Sequence, residues 1–415
     1  YELENLPAHF KKDKEIVLEA VKQNSYALRY ADPILKFQDK NFILVVVKQN
    51  PNALDSVDKN LKKDKEIVLE AVKQDGRVLE YADDILKKDK EIVLEAVKQN
   101  CYALEYADSS LKKNKEVVLE AIKNDVEGGM SLESADNSLK KDKKFMLKAV
   151  KVNAMVLELA HISIRKDKEV VLEAVKQNGW LLKFLPAYFK KDKDVALAAI
   201  KQTTHLLEFL DNSLKKDKEI VIEVLKKNGL ELEYADESLK KNKKFILKAV
   251  KQTGYALAYV DKSLKKDKEI VLEAVNQNGV ALEYANVSLR KDREIVLAAM
   301  KQGGDLKFAD KSFRKDKEVI LAAVKRNGRN LELADKCFKK DKKIVLLAVK
   351  QNGYALQFAD KSFRKDRQIV LTAMKEGGDL KYVHKSLKKD SDILSMANKK
   401  KKEGLLFDKD YVGPF

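Results

Sequence analysis

The chain has 415 residues, of which 45% are hydrophobic and 36% are charged, and its formal net charge is +18. Its longest apolar runs are far shorter than the roughly 20 residues that span a bilayer, which excludes a transmembrane helix. The basic excess favours acidic partners, but only ten of the 84 basic residues are arginine, so it indicates specific nucleic-acid recognition only weakly.

A repeat of about 25 residues begins near the N-terminus and continues along the chain. The segment Leu61–Gln74 reads LKKDKEIVLEAVKQ, and the same letters return at Leu86–Gln99. Each unit is numbered from its anchor, the Asp or Asn of its K-K-D-K motif. The anchors are Asp13, Asp39, Asp64, Asp89, Asn114, Asp142, Asp167, Asp192, Asp217, Asn242, Asp267, Asp292, Asp316, Asp341, Asp366 and Asp390. A fixed period of this length predicts a solenoid or a propeller, and no alternating β pattern is long enough for a propeller blade.

The Asp64 unit shows how one repeat is expected to fold. Asp64 is suited to cap a helix N-terminus, and the apolar residues within Ile67–Val72 cover more than half of the helix circumference. A helix with so wide an apolar arc needs to be covered by the units before and after it. Gly76 is placed to end the helix as a C′ glycine, and Val78–Asp83 predicts a short α-helix or a 3-10 turn.

These units predict an all-α fold, a right-handed α-solenoid of about sixteen 25-residue units with one long and one short helix each. We expect residues 1–398 to form a single continuous solenoid. Residues 399–415 then contain a basic run and a tail that either caps the last unit or docks on a partner. Because the sequence begins at Tyr1, partway through a repeat, we expect a fragment or a processed form.

The unit D-K-E-I-V-L-E-A-V-K-Q-N-G, followed by A-L-E-Y-A-D-x-S-L-K, resembles a tandem helical-repeat family known as domain of unknown function four-one-one-six. The resemblance extends over essentially the whole chain, to about Asn398. It implies helical repeats, and the family brings no assigned activity, cofactor or catalytic residue. The alternation of a longer and a shorter helix also resembles, less closely, leucine-rich variant repeats.

The anchor+6 position, on the polar face of the long helix, changes in a pattern. It is glutamate in typical units, as at Glu70, but two units that lie four repeats apart have lysine there and at anchor+2. These secondary candidates for partner binding are Lys144, Lys148, Lys244 and Lys248. Duplication of an older block of four units explains the spacing. The alternative is a partner that contacts the array at regular intervals.

Residues 290–390 differ in composition from the rest of the chain. The anchor+6 glutamate is lost, and seven of the ten arginines lie between Arg290 and Arg367. Loss of glutamate with a gain of apolar residues and arginine is typical of a protein–protein interface. Sequence drift among recently copied units explains the same changes without an interface. The candidate partner-binding residues are Arg290, Arg293, Ala298, Arg314, Ala322, Leu347, Arg364 and Arg367.

The K-K-D-K motif places cations just before each long helix, where the helix N-terminus is already electropositive. Along the array these lysines form either a solvated edge or a binding surface for an anionic polymer, such as nucleic acid, or an acidic membrane. The short-helix tyrosines are in register with Leu and Ala, so we expect core or half-buried residues rather than base-stacking platforms at Tyr81, Tyr106, Tyr234 and Tyr284.

Residues that could carry catalysis are sparse. No histidine has a Cys, Asp or His at metal-ligand spacing, and no phosphate loop or nucleophile motif is present. We therefore expect no enzyme activity, no metal and no cofactor. Two cysteines in distant units favour an intracellular reducing compartment. The leading hypothesis is a non-enzymatic repeat scaffold for protein–protein interaction within a larger assembly, and the alternative is an electrostatic binder that uses the lysine edge.

Overall fold

A computed structural model of the chain describes residues 3–126 and 128–398. Within those ranges every regular element is helical, and inside each of two compact bodies consecutive long helices pack side by side, which confirms the all-α repeat solenoid. The chain forms two compact bodies, an N-terminal body up to Thr203 and a C-terminal body from Thr204. The division falls where the Asp192 unit reads TTHLLEF in place of the usual G-x-A-L-E-Y. A single continuous domain over residues 1–398 stays a prediction, and the basic run and tail predicted at residues 399–415 lie outside the described residues.

Each unit has a long α-helix of nine or ten residues that starts one residue after the anchor. In the N-terminal body these helices are Lys14–Gln23, Lys40–Gln49, Lys65–Gln74, Lys90–Gln99, Lys115–Lys123, Lys143–Val152, Lys168–Gln177 and Lys193–Gln202. In the C-terminal body they are Lys218–Lys227, Lys243–Gln252, Lys268–Gln277, Arg293–Lys301, Lys317–Arg326, Lys342–Gln351 and Arg367–Lys375, and residues 391–398 are also helical.

A second element follows each long helix, and it is a 3-10 helix in all described units except that of Met130–Ser134, which is α-helical. The 3-10 helices are Leu3–Asn5, Ser25–Tyr30, Pro51–Ser56, Gly76–Tyr81, Cys101–Tyr106, Ala154–Leu159, Gly179–Lys183, Leu207–Phe209, Gly229–Tyr234, Gly254–Tyr259, Gly279–Tyr284, Leu306–Phe308, Gly328–Leu333, Gly353–Phe358 and Leu380–Tyr382. The sequence left open whether this element is α or 3-10, and the structure answers it.

A third, very short helical piece leads into the next anchor, where the sequence suggested only a connection. In the Asp64 unit it begins after Asp83, whose carboxylate accepts a hydrogen bond from Ile85 N at 3.1 Å. The α-helical pieces are Pro33–Phe37, Ser109–Lys112, Asn137–Lys141, Ile162–Arg165, Ala187–Lys190, Asn212–Lys215, Glu237–Lys240 and Lys336–Lys339. The 3-10 pieces are Phe10–Lys12, Leu61–Lys63, Leu86–Lys88, Leu264–Lys266, Leu289–Lys291, Lys311–Lys315 and Lys361–Lys365.

The anchors cap the long helices, as the sequence predicts. Asp64 Oδ1 accepts hydrogen bonds from Glu66 N at 3.0 Å and from Ile67 N at 3.3 Å. Both amides belong to the four donors that a helix leaves unsatisfied at its N-terminus. Asn242 retains one such bond, because its Oδ1 accepts from Phe245 N at 3.0 Å. An Asn anchor therefore still starts a helix, but without a charge.

The core lies between the long and second helices of consecutive units. In the Asp64 unit its fully buried residues are Ile67, Val68, Ala71, Val72, Val78 and Leu79. Leu69, which the sequence includes in the apolar arc, is only half-buried and lies beside the half-buried Glu70. The anchor+5 and anchor+6 residues therefore form an outer face of the long helix.

Gly76 follows the helix C-cap as predicted, but it does not adopt the left-handed backbone of a C′ glycine. A Cβ at Gly76 would lie 2.0 Å from Ala96 O, which belongs to the long helix of the next unit. At Gly279 the corresponding distance, to Ala299 O, is 2.2 Å. Glycine is required here because consecutive units approach too closely for a side chain.

Candidate functional site

The first lysine of the K-K-D-K motif, at anchor−2, is used inside its own unit. Lys62 Nζ donates to Asp55 O at 2.8 Å, near the C-terminal end of Pro51–Ser56. Arg364 makes the equivalent contact, because its Nη2 donates to Gln357 O at 2.9 Å. A cation at this place satisfies a carbonyl that the short helix leaves free. The anchor−2 cation is thus a structural part of the repeat.

The lysine after the anchor, at anchor+1, contacts the next unit. Lys268 Nζ lies 2.8 Å from Asp292 Oδ2 and 2.8 Å from Glu294 Oε2. We call this series of ion pairs between consecutive units the ion ladder. Its cations, each paired with a carboxylate of the next unit, include Lys14, Lys40, Lys65, Lys90, Lys115, Lys143, Lys168, Lys243, Lys268, Arg293, Lys317, Lys342 and Arg367.

The ion ladder shifts the titration of its own members. The hydrogen bond from Lys268, opposed in part by burial, lowers the pKa of Asp292. The hydrogen bonds to Asp292 and Glu294 raise the pKa of Lys268. At the following junction the hydrogen bond from Arg293 lowers the pKa of Asp316. Both signs of charge are therefore retained at neutral pH, and each anchor Asp serves its own helix and the preceding unit at once.

The second lysine of the motif, at anchor−1, is exposed in each described unit that has it. We call these residues the outer lysine row: Lys12, Lys63, Lys88, Lys113, Lys141, Lys166, Lys191, Lys216, Lys241, Lys266, Lys291, Lys315, Lys340, Lys365 and Lys389. Some of them approach a carboxylate of the next unit: Lys113 lies 3.9 Å from Asp136 and Lys216 lies 3.8 Å from Asp236. The accessible part of the lysine edge is this row.

Four of the candidate arginines hold the anchor−2 or anchor+1 position and make the same contacts as the lysines described above. Arg290 and Arg364 are anchor−2 cations, and both donate to backbone carbonyls of their own units. Arg293 and Arg367 belong to the ion ladder. Arg314 also holds the anchor−2 position and is half-buried, but within the described residues its guanidinium has no polar partner. Of the five arginines, Arg314 is therefore the one left available for a partner.

Ala298, Ala322 and Leu347 lie on the outer face of three consecutive long helices. Each is half-buried and follows a half-buried leucine at anchor+5. In a typical unit this face is charged, as where Glu95 lies 3.5 Å from Lys98. We call the uncharged surface of the three units the outer apolar face: Leu297, Ala298, Leu321, Ala322, Leu346 and Leu347.

The four secondary lysine candidates carry unpaired charge. Within the described residues, none of Lys144, Lys148, Lys244 and Lys248 forms an ion pair. They replace the anchor+2 and anchor+6 glutamates, and the anchor+2 glutamate would otherwise complete the ion ladder. Their side chains thus add charge to the outer face rather than to the contacts between units.

Lys244 and Lys248 line a cleft of about 590 Å³ between the long helices Lys218–Lys227 and Lys243–Gln252. We call this site the lysine cleft; its lining residues are Lys218, Glu219, Ile222, Glu223, Lys226, Lys244, Phe245, Lys248 and Gln252. Phe245 is 4% exposed and occupies a position where most units have Ile or Val. A smaller cleft, of about 310 Å³, lies beside the equivalent Phe42. In each cleft, a phenylalanine ring is part of the lining between two consecutive long helices.

Sequence reasoning missed Lys218 and did not single out Asn242. Lys218 has the ion-ladder position, but the next anchor is Asn242 and the next anchor+2 residue is Lys244. Within the described residues Lys218 consequently has no ion pair. At the earlier Asn anchor the anchor+2 glutamate is kept, and Glu116 lies 2.5 Å from Lys90. The signal in the sequence is the coincidence of an uncharged anchor and an anchor+2 lysine in one unit.

The short-helix tyrosines are mostly half-buried, as predicted for Tyr81, Tyr106 and Tyr284. Tyr234 is more open, with 37% of its surface exposed. The side chains at this register also connect units, because Tyr382 Oη donates to Gln357 Oε1 at 2.9 Å. Their contacts are with neighbouring repeats.

In residues 3–126 and 128–398, no group of three or more His, Cys, Asp or Glu is placed to hold a metal ion. No helix in that part of the chain is long and apolar enough to cross a membrane. Of the two cysteines, Cys101 is buried and Cys337 is exposed, and neither is in a disulfide.

The repeat matches a known family along nearly its whole length. A family model described as Domain of unknown function (DUF4116) matches ten overlapping or consecutive segments: residues 1–36, 39–87, 89–128, 126–165, 167–215, 217–265, 267–314, 292–339, 316–364 and 341–388. No curated protein matches the sequence.

Proposed function

Because the chain belongs to the tandem-repeat family described as Domain of unknown function (DUF4116), we propose that it is a non-enzymatic repeat scaffold that mediates protein–protein interaction within a larger assembly. Repeats of this kind present long surfaces on which partners bind. Most polar side chains at the junctions are engaged in caps, carbonyl contacts and the ion ladder. The positions that depart from the repeat are therefore the candidates for specific recognition.

The outer apolar face is the observation that supports this proposal most. Ala298, Ala322 and Leu347 remove the charge at anchor+6 in three consecutive units, and each stays half-exposed beside a leucine. Apolar side chains at a shared position on neighbouring helices make a continuous patch that a partner can desolvate. Arg314 adds a guanidinium without an intramolecular partner in the same units. Apolar and arginine side chains are over-represented at the centres of interfaces.

Cross-linking in cells, followed by capture and mass spectrometry, tests the scaffold. We expect Leu347→Glu and Arg314→Glu each to weaken binding of a captured partner by about tenfold when that partner is purified and titrated. Charge reversal at Glu70 or Glu95 is the matched control, because these residues hold the same anchor+6 position in typical units. Equal losses from the control and test variants would contradict the regional assignment, and failure to find any partner that binds in purified form would contradict the scaffold.

The outer lysine row favours a second candidate, an electrostatic binder of an anionic polymer or an acidic membrane surface. Its lysines are exposed and precede the N-terminus of each long helix. Such binding would be strong at about 50 mM salt and fall steeply as salt rises. Titration with heparin, RNA and anionic vesicles tests it, with Lys63→Gln, Lys88→Gln and Lys266→Gln combined as the variant. Undetectable binding of all three probes at low salt rules this candidate out.

A further inference from the structure

The lysine cleft is the place where the ion ladder is broken within the C-terminal body. Upstream cations elsewhere reach an anchor Asp or an anchor+2 acid, as Lys243 does with Asp267 at 2.7 Å and Glu269 at 3.0 Å. At the cleft the anchor is Asn242 and the anchor+2 residue is Lys244. Lys218 therefore lacks both carboxylates that an ion-ladder cation normally contacts, because one is replaced by an amide and the other by a cation.

Three ammonium groups of the cleft are outside any ion pair within the described residues. Within the described residues Lys218, Lys244 and Lys248 form no ion pair, whereas the cleft's fourth lysine, Lys226, lies 2.5 Å from Glu223. Lys244 and Lys248 are one helical turn apart on the same face, and like charges at that spacing repel. A bound anion would relieve this repulsion and compensate the charge that the rest of the ladder compensates internally.

The shape and the local charges of the cleft favour a short acidic peptide over a long polyanion. Glu219 and Glu223 lie on the opposite helix and repel any anion beside them, so a peptide, which can place uncharged side chains there, fits better than a phosphate backbone that is charged at every unit. The next junction is already neutralised by the ion pair between Lys243 and Asp267, so the free charge is local. The lining also includes the apolar side chains of Ile222 and Phe245, and lysine side chains have aliphatic stems that can contact apolar groups. Carboxylates interspersed with apolar side chains match this combination.

The N-terminal body offers an internal control. The cleft beside Phe42 has a similar ring at its floor, but its anchor+2 and anchor+6 residues are Asn41 and Val45. Its upstream cation, Lys14, is paired with Asp39 at 2.5 Å. The Phe42 cleft thus also has a phenylalanine between two long helices, but its lining contains no lysine outside an ion pair, so it should not bind an acidic segment.

We infer that the lysine cleft binds an acidic peptide segment of a protein partner, with its carboxylates on Lys218, Lys244 and Lys248. This inference rests on the proposed scaffold function and names the chemistry of one contact. The contact is distinct from the outer apolar face, because the lysine cleft belongs to the Asp217 and Asn242 units and the face begins in the Asp292 unit.

Fluorescence anisotropy with a short labelled peptide rich in Glu and Leu tests the inference on the full chain. The variant Asn242→Asp, Lys244→Glu and Lys248→Glu restores the residues of the neighbouring Asp267 unit, so it should fold as well as the wild type. We expect it to bind the peptide at least about tenfold more weakly. Lys12→Gln, Lys63→Gln, Lys88→Gln, Lys141→Gln and Lys166→Gln combined lower the net charge by the same five units, and this control should leave the affinity within about twofold.

Two further probes make the result decisive. A peptide with Gln in place of Glu should not bind, and RNA of equal charge should bind less tightly than the acidic peptide at the same salt. Equal peptide affinity in the wild type and the restored variant would overturn the inference, and so would a preference for RNA that the restored variant abolishes. After either result the proposed scaffold function would still stand, provided that Leu347→Glu still weakens binding of the captured partner. Loss of that capture with intact peptide binding would instead contradict the scaffold alone.

Discussion

The Asn242 junction and the Asp292 junction join the same kinds of helices with different charges. At the Asp292 junction Lys268 contacts Asp292 and Glu294, and at the Asn242 junction the equivalent Lys218 has no ion pair within the described residues. Both junctions keep a capped long helix and a buried core. The ion ladder is therefore an addition to a fold that packing and caps define, and a unit can lose it without losing its architecture.

Core truncation should not distinguish the two junctions. Ile220 and Ile270 hold the same anchor+3 position in the helices that precede them, and both are fully buried. We expect Ile220→Ala and Ile270→Ala each to lower the free energy of unfolding by about 2–5 kcal/mol, through lost burial and the cavity left behind. Urea denaturation followed by circular dichroism measures both. If Ile270→Ala lowered the free energy of unfolding and Ile220→Ala did not, the Asn242 junction would not be packed like the Asp292 junction.

Removal of the caps should separate the junctions. Asp292 accepts from Glu294 N at 3.0 Å and from Ile295 N at 3.2 Å, while Asn242 accepts only from Phe245 N at 3.0 Å. We expect Asp292→Ala to cost about 1–2 kcal/mol, since the change also breaks the contact with Lys268, and Asn242→Ala to cost about 0.5–1 kcal/mol. The same denaturation experiment measures both values. A larger loss at Asn242 would contradict the assigned role of the ladder.

Restoration of the ladder should stabilise the Asn242 junction slightly. The variant Asn242→Asp with Lys244→Glu gives Lys218 the two carboxylates that Lys268 has, so we expect a gain of about 0.2–1 kcal/mol at low salt. The gain should shrink at 1 M salt, where the Debye length falls to about 3 Å. It should also depend on pH in the direction set by Asp292, whose pKa is lowered by its hydrogen bond from Lys268.

The sign of that pH dependence follows from linkage. A carboxyl group with a lowered folded-state pKa adds stability above its unfolded pKa of about 3.9, and this stability is lost as pH falls through the folded value. The part of the gain that comes from the two new carboxylates should therefore be full at pH 7 and smaller at about pH 2, whereas the relief of repulsion between Lys244 and Lys248 remains in acid. Thermal unfolding at both pH values checks it. A difference as large at about pH 2 as at pH 7 would mean that the new carboxylates do not produce the gain.

The sequence predicted the parts of the fold that depend on local pattern. The cap at Asp64 and the long helix after it follow from residues three or four positions apart, and both are confirmed. The sequence correctly placed Leu69 in the long helix and Gly76 just after it. It did not predict that Leu69 is only half-buried, or that Gly76 is needed because the next unit packs so closely. Whether Leu69 is covered, and whether a Cβ at Gly76 meets Ala96 O, depends on how closely the next unit packs.

The candidate site was harder to predict because its chemistry arises between units. The letters K-K-D-K do not reveal that Lys62 caps its own unit and that Lys65 reaches Asp89 at 2.8 Å. For the same reason the sequence could not separate arginines with internal contacts from Arg314. Lys244 was visible as a departure from the repeat, but Lys218 became informative only when its contact with the next anchor was known.

Competitive labelling of lysines with trace acetic anhydride at alkaline pH, read by mass spectrometry, tests the broken ladder most directly. Ion pairing holds Lys243 and Lys268 in the charged form, and the carboxylates they contact raise the pKa of both. We predict that Lys218, at the same anchor+1 position, reacts several-fold faster than either, and that the restored variant slows it to their rate. A Lys218 that reacts as slowly as Lys243 and Lys268 in the wild type would contradict the account.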